Sequence, residues 1–221
     1  MGASPAHIEP DALLTVDGLS RRFGAREVVR SLDLKLMPGE RVALLGPNGS
    51  GKTTILRCTA GTLTPSSGSV RVAGHLAGTL KARRLVGESL AQERSFYLRL
   101  SARENLLFFA RVRGDSASKA AIRVERLSEE LELEAMLPQR VDRCSTGMIQ
   151  QLAFARALLG DPSILLLDEP TRSLDRDALG RLWGAIERRP GIAVLIATHN
   201  EADVERCHRS VELSPRGHDG R

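Results

Sequence analysis

The sequence predicts an α/β fold with a mainly parallel sheet, and three observations carry that expectation. Three compact apolar runs, Arg41–Leu45, Ile164–Leu167 and Ile192–Ala197, read as strands buried on both faces, since a central parallel strand has no solvent side to keep polar. Stretches with helical spacing lie between them, the alternation that lays helices over both faces of such a sheet. The first run also passes straight into a glycine-rich segment, Gly46–Gly51, with a helix-forming stretch behind it.

Taken in order, residues 1–11 carry Pro5 and Pro10 and read as a flexible leader to one domain spanning 12–221. Short β-like runs follow at Leu13–Val16 and Val28–Leu36, closed by a Pro38-Gly39 turn. After the strand Arg41–Leu45 comes a helix over Lys52–Ala60, a turn at Thr64–Gly68 and a strand at Ser69–Ala73, with another strand near Leu85–Leu90. From Ser101 to about Leu137 the texture changes. Leu106, Phe109 and Ala110, then Ile122, Val124, Leu127 and Leu131, follow helical spacing among many charges, which predicts a helical insertion over about 93–143. Helices at Met148–Leu159 and Ala178–Arg188 and a short strand at Val211–Leu213 complete the reading.

Composition bounds the function. A length of 221 residues with 42% hydrophobic and 27% charged residues supplies a core and excludes a disordered chain. The net charge is +5, but the arginines are spread along the chain and aromatics amount to 3%, poor material for stacking nucleic-acid bases. No nucleic-acid partner is expected. Cys58, Cys144 and Cys207 are widely spaced with no C-x-x-C pair, so neither a zinc site nor a disulfide framework is supported, which fits a reducing cytoplasm. No signal peptide is legible at the N-terminus, and the longest apolar runs fall far below the roughly 20 residues that span a bilayer. Any membrane role is then expected to come through a partner.

Two segments carry chemistry. Gly46-Pro47-Asn48-Gly49-Ser50-Gly51-Lys52-Thr53 fits the phosphate-binding pattern G-x-x-x-x-G-K-[ST] and sits between a strand and a helix, as that pattern requires. Glycines let the backbone curl its N–H groups inward, and the helix adds the positive end of its dipole. Lys52 is expected to reach the β- and γ-phosphates of ATP, Thr53 to offer its hydroxyl to Mg²⁺, and Thr54 to continue the same cradle. The second segment is Ile164-Leu-Leu-Leu-Asp168-Glu169. An apolar strand delivers its terminal carboxylates to the edge of the sheet where ligands bind, so Asp168 is expected at the metal and Glu169 as the base that polarises water.

With these two segments in place, the chain resembles the ATPase subunits of ABC transporters from residue 13 to about 213. Four more segments carry the resemblance. Gln92 looks like the family's Q-loop glutamine, Cys144-Ser-Thr-Gly-Met148 occupies the place of the signature sequence L-S-G-G-Q, Ser173-Leu-Asp175 looks like the D-loop, and His199 looks like the switch histidine. Phe23 stands where the family has an aromatic that stacks on adenine. The signature departs at Cys144, Thr146 and Met148, and Ile149 and Gln151 replace frequently basic residues, but Ser145 and Gly147 remain.

The resemblance implies a P-loop core, an N-terminal antiparallel β-subdomain and the helical insertion. It implies Glu169, His199 and Gln92 as catalytic, Gln92 beside Thr53 and Asp168 at Mg²⁺, and Ser145, Gly147 and Asp175 contacting nucleotide across an ATP-dependent dimer of ATPase subunits. It further implies a separate transmembrane permease without a fused membrane domain, a place at the cytoplasmic face of the membrane, and export, with Phe96 and Tyr97 as candidate anchors for the permease. A soluble ABC-type ATPase acting on ribosomes or DNA is the alternative, and a small-molecule kinase a more distant one.

Overall fold

The computed structural model describes residues 12–90 and 96–213, so the expected leader and Gln92 lie outside the described residues. Strands β1 (Leu14–Phe23) and β2 (Arg26–Leu36) form an antiparallel hairpin. Both are longer than the sequence pattern indicates. The two-residue alternation that marks a half-buried strand is broken by register shifts between Val16 and Leu19, Leu19 and Arg21, and Arg21 and Arg22, so the polar end of β1 carries no readable period.

Strand β3 (Arg41–Leu45) leads through the glycine-rich loop into helix α1 (Lys52–Ala60). Strands β4 (Ser67–Val72) and β5 (His75–Leu76) complete a four-stranded antiparallel sheet, order β2-β1-β4-β5. A six-residue helix, α2 (Leu80–Leu85), was not expected; its only strong sequence mark is Thr79, whose hydroxyl accepts from the Ala82 amide at 3.3 Å as an N-cap.

Strand β6 (Val86–Ser89) is followed by α3 (Ala102–Val112) and α4 (Ala117–Leu131), a 3₁₀ turn at Val141–Arg143, and α5 (Thr146–Leu158). Then come β7 (Ile164–Asp168), α6 (Arg176–Glu187), β8 (Ala193–Ala197), the short α7 (Glu201–Val204) and β9 (Arg209–Glu212). These strands make a five-stranded parallel sheet, order β6-β7-β8-β3-β9.

The apolar runs explain the layering. Every residue of β7 and β8 is buried. Ile164, Leu166, Ala193, Leu195, Val42 and Leu44 pack on one side with Ile55 and Leu56 of α1 and the antiparallel sheet. Leu165, Leu167, Val194 and Ile196 pack on the other side with α3 to α6, around the fully buried Phe154 and Trp183. Each such ring contributes about 2–3 kcal/mol by its removal from water.

The helical insertion shares this second core. Its α3 begins with a full capping box, Ser101 with Glu104, and α4 with a Ser116 cap. Ile122, counted with the apolar stripe, is 71% exposed, because Ala120, Val124, Leu127 and Leu131 point inward and Ile122 is two residues out of their phase. Phe96 is also a correction as a docking anchor: it is buried in the core, while its neighbour Tyr97 is exposed. The physical reason is a stack in which the Arg156 guanidinium lies 4.7 Å from the Phe96 ring centroid and 5.1 Å from that of Phe109. Among the described residues no helix is long and apolar enough to cross a membrane.

Candidate functional site

The C-terminal ends of β3, β7 and β8 open on one cleft of about 440 Å³, within the usual range for small-ligand sites. It is lined by Arg26, Val28, Asn48, Gly49, Gly51, Lys52, Thr53, Thr54, Asp168, Glu169 and His199. The glycine-rich loop forms its floor. Gly46 at φ 140° and Gly51 at φ 103° hold conformations that side chains resist, and a Cβ on Gly46 would stand 2.5 Å from the Leu213 carbonyl oxygen. The Lys52 ammonium is folded back over the loop, donating to the Gly46 carbonyl at 2.5 Å and the Pro47 carbonyl at 3.1 Å.

The opposite wall comes from the two buried strands. Thr53 donates its hydroxyl to Asp168 Oδ2 at 2.7 Å. Glu169 Oε1 lies 3.5 Å from His199 Nε2, which is also 3.3 Å from the Lys52 ammonium and 3.2 Å from Asn48 Oδ1. Asp168 and Lys52 are buried, whereas the His199 side chain is 48% exposed and Glu169's 24%, so the reactive wall remains accessible.

The site fits a phosphate chain. Helix α1 begins with no side-chain cap, which leaves its first amides for an anion, and the Ser50 hydroxyl is buried without a partner among the described residues. The Thr53–Asp168 pair offers a hydroxyl and a carboxylate, the oxygen donors a hard divalent cation prefers.

The other predicted residues stand elsewhere. Phe23, at the end of β1, is exposed and outside the cleft lining, but it pairs across the hairpin with Arg26, which is in it. Ser145 and Gly147 open α5, with the Ser145 hydroxyl accepting from the Met148 amide at 3.2 Å. Asp175 caps α6 through the Ala178 amide at 2.8 Å. None of these three lines the cleft; within one chain Ser145 and Asp175 act as caps, and Gly147 lies in the first turn of α5.

Sequence reasoning missed several supporting residues. Arg26 lies on β2 ahead of its readable run, and Val28, the first residue of that run, shows its place in the cleft only once the hairpin is folded over the loop. Asp203, buried in α7, accepts from Thr171 Oγ1 at 2.6 Å and from Thr198 Oγ1 at 2.9 Å, tying the segment after Glu169 to the one before His199. The signal for it was the Asn200 side chain, which caps α7 by accepting from the Ala202 amide at 3.0 Å and so places Asp203 in the first turn.

Comparison with known proteins agrees with this geometry. Residues 29–172 match the family model described as ABC transporter. The Nod factor export ATP-binding protein I of Paraburkholderia xenovorans (strain LB400) is 36% identical over 204 residues, covering 90% of this chain and 67% of that protein. A structure described as the ATP-binding subunit of an ABC transporter superposes with a TM-score of 0.83 at 30% identity, covering 91% of this chain and 85% of the other. The ATP-binding cassette MJ0796, in a dimeric post-hydrolysis state with ADP and Pi, shares the fold at 24% identity and a TM-score of 0.82, over 90% and 94% of the two chains. The chain spans about two thirds of the length of the curated relatives it matches. The match across the phosphate loop and both cores settles the assignment: the chain belongs to the ABC transporter family, as one of its ATP-binding subunits.

Proposed function

We propose that this chain binds and hydrolyses Mg-ATP in the cleft at the ends of β3, β7 and β8, as the motor of an exporter whose membrane-spanning part is a separate polypeptide. The observation that carries this reading is the convergence of Lys52, Thr53, Asp168, Glu169 and His199 on one cleft above an uncapped helix N-terminus.

Each residue has a physical part. Lys52 exchanges the Gly46 and Pro47 carbonyls for β- and γ-phosphate oxygens, aided by the loop amides. In this reading Thr53 and Asp168, whose hydroxyl and carboxylate meet, would hold Mg²⁺, with Gln92 a further candidate outside the described residues. When bound, the ion neutralises phosphate charge. Glu169 takes the proton from the attacking water. His199, whose backbone amide reaches Glu169 Oε2 at 3.4 Å, orients that carboxylate and contacts the γ-phosphate. Phe23 stacks on the base.

One chain leaves the γ-phosphate open to solvent, since Ser145, Gly147 and Asp175 stand outside its own cleft. In the proposed arrangement a second ATPase subunit supplies them: its Ser145 hydroxyl, Gly147 amide and α5 dipole close the cage. ATP then holds the two subunits together, and loss of the γ-phosphate releases them, a differential affinity that moves the attached permease. The dimeric state of MJ0796 supports this reading, and the name of the Nod factor relative supports export. The permease seat is proposed at exposed Tyr97, Leu98 and Phe108, with the chain held at the cytoplasmic face of the membrane through that contact. No nucleic acid takes part in this scheme.

The test is Glu169→Gln. ATP binding should be kept while steady-state hydrolysis falls by at least about 100-fold, the usual worth of a positioned base. Hydrolysis at the wild-type rate overturns the assignment of the base. Affinity purification from solubilised native membranes tests the partner: a stoichiometric polytopic protein is expected, and recovery with ribosomes instead overturns the transporter reading.

A further inference from the structure

Strand β1 ends on an aromatic ring covered from one side. Phe23 is its last residue, is 48% exposed, and is cross-strand to Arg26 of the cleft wall. The guanidinium carbon of Arg21 lies 4.5 Å from the ring centroid. That guanidinium is itself anchored, because Nη1 donates to the Thr64 carbonyl at 2.9 Å in the turn after α1, and Nε is buried.

We propose that Arg21 is a positioning residue for the nucleotide base, holding Phe23 from behind so that its other face receives a purine. The proposal rests on the reading of Phe23 as the base platform. An exposed phenylalanine turns freely about its χ angles and loses that freedom when a base stacks on it. A cation fixed over one face attracts the negative π cloud, holds the ring plane in place and leaves only the far face open. The same attraction draws π density towards the guanidinium, which lowers electron repulsion against a base stacked on the opposite face. Tethering to Thr64 ties the platform to the end of α1, whose other end starts at the phosphate loop, so base and phosphate sites are set at a fixed separation.

The experiment is calorimetric titration of the full chain with ATP and with inorganic tripolyphosphate, both with Mg²⁺ present. Phe23→Ala should weaken ATP by about five- to hundredfold and leave tripolyphosphate unchanged. Arg21→Gln removes the cation, and its side chain, two bonds shorter than Nη1, gives up the bond to the Thr64 carbonyl with it. It should weaken ATP by about two- to fivefold, again without change for tripolyphosphate. Arg21→Lys, which restores a cation, should recover most of the affinity, and adding Arg21→Gln to Phe23→Ala should cost nothing more. Unchanged ATP affinity in Arg21→Gln, beside a weakened Phe23→Ala, overturns the role of Arg21 and leaves the platform standing. No loss in Phe23→Ala overturns the platform and the role of Arg21 with it. Equal losses of ATP and tripolyphosphate in Arg21→Gln mean a distorted phosphate loop, and these too overturn the proposal.

Discussion

Replacing Asp203 with alanine should loosen both halves of the reactive wall at once. The residue is 1% exposed, and one of its oxygens accepts from two hydroxyls, Thr171 at 2.6 Å and Thr198 at 2.9 Å. Thr171 follows Glu169 by two residues and Thr198 precedes His199. The alanine variant leaves two buried O–H donors without an acceptor. Each such group costs about 1–3 kcal/mol, so the pair amounts to roughly 2–5 kcal/mol once local relaxation is allowed. For a chain of this size that is a fall in melting temperature of roughly 5–15 °C. Hydrolysis should fall further than ATP affinity, because the two hydroxyls that Asp203 holds belong to the segments of Glu169 and His199 and not to the phosphate loop. The conservative variant sharpens the test. Asp203 Oδ1 has no partner among the described residues, so Asp203→Asn can place its amide nitrogen there and keep both hydroxyl bonds on oxygen. Its expected loss is under about 1.5 kcal/mol. Thermal denaturation of both variants, with their ATPase rates, decides the matter. An alanine variant melting within about 2 °C of wild type refutes the reasoning, as does an asparagine variant as damaged as the alanine one.

Two further outcomes follow from close packing and from charge. A Cβ on Gly147 would stand 2.6 Å from the Ser173 carbonyl oxygen, so Gly147→Ala must push α5 from the loop leading to Asp175, at about 1–3 kcal/mol; denaturant titration reads that cost, and hydrolysis should drop while ATP binding to the monomer persists. Glu130 accepts two bonds from Arg189, at 2.6 and 2.7 Å, and these hold its carboxyl below the ordinary value of 4.5 against the opposing effect of burial. A lowered folded-state pKa stabilises the fold above the unfolded value and loses that contribution as pH falls through the folded one. Glu130→Gln should therefore cost about 1–2 kcal/mol at pH 7, and the gap to wild type should close progressively below about pH 4.5 in denaturant titrations.

The strands and residues with steep physical demands were legible in the sequence. β3, β7 and β8 must be apolar on both faces, and helix α1 was expected over the residues it occupies, because glycine loop and helix start are fixed by the same chemistry. The far end of β1 and the short α2 were not legible, since bulged polar strands and one-turn helices carry no sustained period. Within the site, Lys52, Thr53, Asp168, Glu169 and His199 come together in one cleft as expected. Arg26, Thr171, Thr198 and Asp203 escaped notice because their contributions are tertiary: a cation brought over a loop by a hairpin, and a buried acceptor shared by two segments. Phe96 failed as an anchor for a related reason. An aromatic in a charged stretch reads as exposed until the arginine that covers it, Arg156 on α5, is known.

The backbone at Glu169 shows why two adjacent carboxylates can share one cleft at all. Successive side chains of an extended strand point to opposite faces, so if β7 simply continued, Asp168 and Glu169 would diverge. Asp168 turns towards Thr53, but Glu169 adopts φ 47°, a left-handed conformation that costs a non-glycine residue about 1 kcal/mol or more. That turn breaks the alternation and brings the second carboxylate to His199, on the same side as the first. The surroundings hold the strain in place. The Glu169 amide donates to the Ala197 carbonyl at 2.8 Å, and its own carbonyl accepts from Arg172 N at 3.2 Å and from Gln150 Nε2 at 3.4 Å. Gln150 lies on α5, the helix that Ser145 and Gly147 begin. The conformation that aims Glu169 into the cleft is thus fastened to the element proposed to reach the neighbouring subunit's nucleotide. A shift of α5 in the assembled dimer would be felt directly at the Glu169 carbonyl, and a glycine at position 169 would relieve the strain only by giving up the carboxylate.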